Sequence, residues 1–228
     1  MATAAVSLVE AQPLPLEKAP TVEIYMSGSE PALTPATETI PFLSDTNLLI
    51  SSPYTTLDHL LDLSTLDTPY RLLAQALTIL TPVRDDYATA PYIDSFNWPA
   101  VFEKVHKLSA AEAHRWTRQR FYVVAFRSIL TADADGDRLS LLDERSHAEA
   151  VASGGLLKYW FGSKNAKREN LATCVWRSRE DARAGGTGPW HAKARGAAKE
   201  MYERIEFTTM ELVIGEEVGE WEFRPWKD

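Results

Sequence analysis

The sequence predicts an α+β fold in which residues 121–226 form one β-α-β-β-α-β unit. Short aromatic and β-branched runs, each too short for a buried helix, recur after residue 120. Two longer segments between these runs carry apolar residues at helical spacing. The second and third runs are separated only by the polar segment Gly162–Asn170, which predicts a hairpin. These three observations together predict a small antiparallel sheet with two helices.

Each element of this unit has its own signal. The first helix is predicted over Ser140–Ser153, because Gly154-Gly155 follows it at the C-cap. The second helix is predicted within Arg179–Tyr202, and the tail Trp221–Phe223 alternates like an added edge strand. The predicted strands are Phe121–Phe126, Leu156–Phe161, Leu171–Trp176 and Ile205–Ile214.

Strand, helix, hairpin, helix, strand is the ferredoxin-like arrangement. Its right-handed crossovers place both helices on the same face of the sheet. The opposite face is apolar and has to be covered, either by the N-terminal half of the chain or by a second copy.

The N-terminal half is predicted to contain two further regions, an arm and a helical extension. Residues 1–52 are rich in Pro, Thr, Ser and Ala and predict an extended, partly disordered arm. Residues 53–118 predict a helical extension that packs on the core domain, residues 119–228. Its helices are predicted from Thr68-Pro69 to Leu80, from Trp98-Pro99 to Lys107, and from a capping box at Ser109 toward Arg118.

Composition excludes several classes of protein. The net charge of −8 and the pI near 5.2 argue against a nucleic-acid partner, which needs clustered Lys and Arg. Cys174 is the single cysteine, so no intramolecular disulfide forms. No apolar run approaches the roughly 18 residues of a membrane span, and the N-terminus lacks a secretory pattern. We therefore expect a cytosolic protein that could also enter the nucleus.

Three segments of the C-terminal half carry a family resemblance. The segments 174–181 (CVWRSRED), 190–196 (WHAKARG) and 201–205 (MYERI) resemble, in order and spacing, the antibiotic-biosynthesis-monooxygenase-like group of the dimeric α+β barrel superfamily. The long extension is atypical of that group, and Gly185–Gly188 replaces the usual apolar start of the second helix.

The resemblance implies a homodimer in which two sheets face each other, with a pocket between each sheet and its helices. Members of the superfamily oxidise phenolic or polyketide-like substrates without metal or flavin, cleave haem, or only bind ligands. We therefore expect a small-molecule-binding protein with cofactor-independent monooxygenase-like activity on an aromatic or polyketide-like molecule. Two alternatives stay open: a non-catalytic interaction or structural protein whose N-terminal helices fill the pocket or sheet face, and a haem-binding protein.

The resemblance makes His191 the candidate catalytic residue, because a helical imidazole facing the pocket can donate or accept a proton near neutral pH. Four aromatic residues of the strands are candidates for an apolar substrate pocket, although large aromatic residues in strands more often belong to the core. They are Trp176, Trp160, Tyr122 and Phe126.

The remaining histidines give no metal motif. His147 is predicted to be a solvated helical residue, and His106 and His114 lack the i, i+4 spacing of a helical metal site. The superfamily implies that His191, His147 or His114 could ligate haem. The acidic loop Asp133–Asp137 has its glycine at the wrong position for calcium. No metal and no obligatory cofactor are predicted.

Overall fold

A computed structural model describes residues 47–227 of the chain. The predicted arm, residues 1–52, lies almost entirely outside the described residues. The described residues belong to one compact unit.

The main sheet is antiparallel and has five strands in the order β4-β5-β3-β6-β7. Its first four members follow the ferredoxin-like order, so the predicted fold class is confirmed. The predicted edge addition is also present, because β7 pairs with the second half of β6. The strands are β3 (Gln119–Leu130), β4 (Leu156–Phe161), β5 (Glu169–Trp176), β6 (Tyr202–Ile214) and β7 (Trp221–Pro225).

The helices that follow β3 and β5 lie on one face of this sheet, here called the helix side. α4 begins after Asp135, whose side chain accepts the backbone N–H of Arg138, so this helix starts four residues earlier than predicted. The second helix predicted within residues 179–202 is present as α6 (Pro189–Met201), and the Gly-rich segment 186–188 separates it from a shorter helix, α5 (Arg179–Gly185). The helices are α4 (Gly136–Ser153), α5 (Arg179–Gly185) and α6 (Pro189–Met201).

The extension covers the other face of the sheet, as one of the two predicted arrangements requires. Trp98, Phe102 and Trp116 share a buried core with Phe121 and Leu212 of the sheet. α3 continues past Ser109, so the separate helix predicted from Ser109 toward Arg118 is wrong. The elements of the extension are β1 (Leu48–Leu49), β2 (Leu61–Asp62), α1 (Thr68–Ala76), α2 (Tyr92–Ser95) and α3 (Trp98–Ala111), with short 3-10 turns at Leu57–His59, Leu63–Thr65 and Leu77–Ile79. A further 3-10 turn lies at Glu216–Val218.

None of the helices in residues 47–227 has the length and apolar character needed to cross a membrane.

Candidate functional site

Five polar and aromatic side chains meet on the helix side, between α4 and the edge strand β4. α4 contributes Asp143 and His147, which are one helical turn apart and therefore project from the same face. β4 contributes Tyr159, and the segment before α1 contributes Tyr54 and His59. We call these five residues the α4–β4 cluster.

The carboxylate of Asp143 is the hydrogen-bond acceptor at the centre of the cluster. Tyr54 donates its hydroxyl to Oδ2 of Asp143 at 2.5 Å, and Tyr159 donates to Oδ1 at the same distance. Burial raises the pKa of Asp143, and the two tyrosine hydrogen bonds oppose that rise. Burial and the neighbouring carboxylate also raise the pKa of both phenols above the ordinary value. The result is a buried acid held between two neutral phenols.

The second feature of the cluster is a pair of stacked imidazoles. The Nδ1 atoms of His59 and His147 are 2.7 Å apart, so one ring donates a proton and the other accepts it. Nε2 of His59 lies 3.8 Å from Asp58 and 4.0 Å from Glu144, which favours a proton on that nitrogen. His147 is then the Nδ1–H donor, and its Nε2 carries a lone pair.

That lone pair of His147 is buried and has no partner among the described residues. The His147 residue is 4% exposed, and burial together with the nearby His59 lowers its pKa to about 3. His147 is therefore a neutral imidazole with an unsatisfied acceptor, which is unusual because buried polar atoms are nearly always paired.

The predicted catalytic residue His191 lies in the first turn of α6, at the margin of this cluster. Its Nδ1 is 3.1 Å from Glu149 Oε2, and the backbone N–H groups of Trp190 and His191 also donate to Glu149. Burial raises the pKa of Glu149, but these N–H groups and His191 outweigh it and hold the pKa below its usual value. The His191 side chain is 26% exposed and lies within electrostatic range of Asp143 and His147.

The predicted aromatic wall is divided between the two faces of the sheet. Tyr122 and Trp176 are register partners in one helix-side core, and Phe126 packs against that core. Trp160 lies on the opposite face, where its ring is 4.9 Å from Phe96 of the extension. The structure thus brings Tyr122, Phe126 and Trp176 together and does not bring Trp160 to them.

The prediction that His147 is solvated is wrong, and the cluster was not anticipated from the sequence. The i, i+4 pair of Asp143 and His147 was its one local signal. Tyr54 and His59 lie 89 and 88 residues away from their partners Asp143 and His147 along the chain. No short-range pattern predicts such a contact.

His147, one of the three candidate haem ligands, is closely surrounded by other rings. The ring of His147 is enclosed by the rings of Tyr54, His59 and Tyr159, at centroid distances of 5.2, 4.9 and 5.2 Å. A porphyrin therefore does not fit against the ring of His147.

Two open surface depressions lie away from the cluster. One is lined by Arg118 and residues at the paired ends of β6 and β7, and the other by Asn47, Arg71 and Gln75 among others. Neither touches His191 or the α4–β4 cluster.

Comparison with known proteins assigns the family. Residues 50–225 match the family model described as PB2B2.08-like. The chain belongs to the PB2B2.08-like family. A relative, UPF0643 protein PB2B2.08 of Schizosaccharomyces pombe, is 35% identical over 196 residues, which is 82% of this chain and 88% of the relative. The match of this PB2B2.08-like chain therefore includes both the extension and the sheet domain.

The solved structures to which this PB2B2.08-like chain is similar include proteins described as antibiotic biosynthesis monooxygenases and as ferredoxin-like, and they cover about 40% of it. Rv0793 from Mycobacterium tuberculosis is 20% identical with a TM-score of 0.35, covering 39% of this chain and 91% of its own. SnoaB, a cofactor-independent oxygenase from Streptomyces nogalater, is 11% identical with a TM-score of 0.33, covering 40% and 90%. A dimeric ferredoxin-like protein of unknown function from Thermobifida fusca is 13% identical with a TM-score of 0.33, covering 42% and 96%.

Proposed function

We propose that the protein binds a small, largely apolar or aromatic molecule on the helix side of the sheet, beside the α4–β4 cluster. The observation that carries this proposal is the buried Asp143 carboxylate next to the unpartnered Nε2 of His147. Unsatisfied buried acceptors of this kind occur where a ligand or water completes the hydrogen bonding. Half-buried Val124 and Phe126, together with Phe207, which is 60% exposed, supply an adjoining apolar surface.

The chemistry that these groups offer is proton transfer. Asp143 can accept a proton from an acidic O–H or C–H group, because its raised pKa brings it closer to that of such a group. His147 is neutral and can accept a second hydrogen bond, and His191 at the margin can donate one. Proton removal from an aromatic substrate is the step that a cofactor-independent oxygenation requires of the protein, and we propose monooxygenase-like activity on that basis.

A panel of hydroquinones and polyketide-type aromatics tests this proposal. We expect at least one compound class to raise the melting temperature in a saturable way and to support oxygen consumption. His191→Gln and His147→Gln should each weaken binding or turnover about tenfold or more, since each removes a positioned hydrogen-bonding group. His106→Gln is the matched control, because His106 is exposed on α3. Absence of binding and turnover across the panel would contradict the proposal.

A second candidate function is that of a non-catalytic interaction or structural protein. It is favoured by a specific observation: the extension covers one sheet face and also places Tyr54 and His59 in the cluster on the other. In that case Asp143→Asn and His147→Gln would lower the melting temperature without changing the response to any compound of the panel.

The family resemblance implies a homodimer in which the open faces of two sheets meet, and this chain does not leave that face open. The sheet face that would meet a second sheet is buried under α1 and α3 in this chain. We therefore propose that the protein forms a homodimer through a surface other than this sheet face. Light scattering after size-exclusion chromatography measures the mass directly, and a concentration-independent monomer would contradict this proposal.

A further inference from the structure

The segment Ser52–Leu60, here called the strap, crosses the outside of the α4–β4 cluster. Tyr54 and His59 point inward, whereas Pro53 and the stretch from Thr55 to Asp58 are exposed. Leu57, at the middle of the strap, is 75% exposed. Between its buried ends, Ser52 and Leu60, the strap is therefore held against α4 mainly by these two side chains. Segments with few buried contacts are those that open locally at the lowest free-energy cost.

The first of these side chains, Tyr54, occupies the place of an aromatic ligand. Its hydroxyl donates to Asp143 Oδ2 at 2.5 Å, and its ring stacks on His59 with centroids 4.6 Å apart and planes inclined by 28°. The same ring is 5.2 Å from His147 and 6.1 Å from Phe161. A carboxylate acceptor with rings around it is the environment that a hydroxylated aromatic ring requires.

The cluster would remain organised if the strap left. Tyr159 belongs to β4 and keeps its bond to Oδ1 of Asp143, so departure of Tyr54 frees Oδ2 alone. Departure of His59 frees Nδ1 of His147, which already has an unpartnered Nε2. Opening of the strap thus exposes one carboxylate oxygen and one imidazole in fixed positions on α4.

We propose that Tyr54 is an internal occupant of the ligand site and that the strap is an autoinhibitory element. This inference rests on the proposed function, since it concerns regulation of the same site. A ligand must carry a hydroxylated aromatic ring, like the side chain it displaces, and it binds only to the fraction of molecules whose strap is open. Its apparent affinity is lowered by that fraction.

Binding of p-cresol, which has the same ring and hydroxyl as the Tyr54 side chain, tests the proposal by calorimetry. We expect Tyr54→Ala to bind p-cresol at least tenfold more tightly than the wild type, because the competitor is gone. Toluene has the same shape without the hydroxyl and should bind Tyr54→Ala at least tenfold more weakly than p-cresol does. Asp143→Asn in the Tyr54→Ala background should abolish this difference between the two compounds.

Tyr70→Ala provides a matched control for general loosening, because Tyr70 packs on Phe121 in the other core. It should not increase the affinity for p-cresol. Equal binding of p-cresol to Tyr54→Ala and the wild type, or equal binding of p-cresol and toluene to Tyr54→Ala, overturns the proposal.

Tyr54→Phe keeps the ring and removes only the hydrogen bond, so it covers the case in which Tyr54→Ala fails to fold. We expect faster amide hydrogen exchange in residues 52–60 of this variant, with α4 unchanged, and unchanged exchange in the strap overturns the proposal.

If a panel compound binds the wild type and neither Tyr54 variant alters its affinity, the autoinhibitory role is wrong and the proposed function stands. If p-cresol binds Tyr54→Ala through Asp143 but no panel compound is bound or oxidised by the wild type, the subsite stands and the proposed activity is wrong.

Discussion

Lys158 is a buried cation with no opposite charge beside it in the described part of the chain. It lies in the edge strand β4, opposite Val175, and is 7% exposed. Burial alone lowers its pKa to about 8. The protonated amine is therefore a net cost to folding at neutral pH.

Lys158→Met should stabilise the protein at pH 7 by about 1–3 kcal/mol, because it keeps the apolar stem and removes the charge. The folded pKa lies below the unfolded value of 10.5, so the unfolded chain binds more protons between pH 8 and 10.5. Wild-type stability consequently rises with pH in that window, and the advantage of the variant disappears. Urea unfolding at several pH values measures both effects. Lys164→Met, at an exposed position, is the control and should change stability little.

His147 leads to a second prediction about stability, at acidic pH. Its folded pKa of about 3 is below the usual 6.5, so the unfolded chain binds the extra proton between these values. Stability should fall as the pH drops from about 6.5 toward 3, by at most about 1.4 kcal/mol per pH unit from this residue. Burial also raises the pKa of Asp143, in the same cluster. The contribution of His147 is therefore measured by comparing the free energy of unfolding of the wild type and of His147→Gln at several pH values. Parallel pH profiles for the two proteins would contradict the prediction.

At the scale of single elements, the junction between α4 and β4 depends on two glycines with positive φ. Gly154 has φ +84° and nothing within 4 Å of the position that a Cβ would take, whereas Gly155 has φ +79° and lies against Asp181. A Cβ on Gly155 would be 2.5 Å from Cγ of Asp181, which is paired with Arg177 and accepts a bond from the Ser178 hydroxyl. The glycine pair thus lets α5 pack closely on the start of β4.

Alanine substitutions should therefore rank by local geometry. Gly155→Ala combines backbone strain with a clash and should cost about 3 kcal/mol or more. Gly154→Ala has strain alone and should cost about 1–2 kcal/mol. Gly136→Ala, at the start of α4 with no neighbour within 4 Å, should be neutral or stabilising by up to about 1 kcal/mol. Thermal unfolding of the three variants gives the ranking, and a cost for Gly136→Ala equal to that of Gly155→Ala would contradict it.

Short sequence patterns predicted those strands and helix ends that are determined by residues close together in the chain. The strands of the sheet follow from their aromatic and β-branched runs, and the C-terminus of α4 follows from Gly154-Gly155. Ser109 was misread because its hydroxyl bonds the carbonyl of Val105 within α3 instead of capping a new helix. The short helix α5 was not predicted as a separate element, because Gly185–Gly188 was interpreted as an atypical start of the second helix, and Pro189 begins α6 directly after it.

For the whole molecule, the sequence showed that one sheet face needs a cover but left two candidates open, the N-terminal half of the chain and a second copy. That choice depends on contacts such as Trp98 with Phe223, which are more than 100 residues apart. The candidate site also depends on contacts between residues far apart in the sequence, because its two halves come from the extension and from the sheet domain. The periodicity of apolar residues shows which face of a helix or strand is buried. Which other face it packs against depends on the fit of side chains that are far apart in the sequence.

Because the extension and the sheet share one core, they should unfold together. Trp98 is fully buried, stacks with Phe102 of α3 and contacts Phe223 of β7 at 4.8 Å. Trp98→Ala should cost about 3–5 kcal/mol, whereas Ile93→Ala, at a 43% exposed position in α2, should cost much less. Hydrogen exchange followed by mass spectrometry should show faster exchange in β3 as well as in α3 of Trp98→Ala, since both depend on the same cooperative unit. Faster exchange confined to α3 would mean that the extension is a separable cover and that the sheet is stable without it.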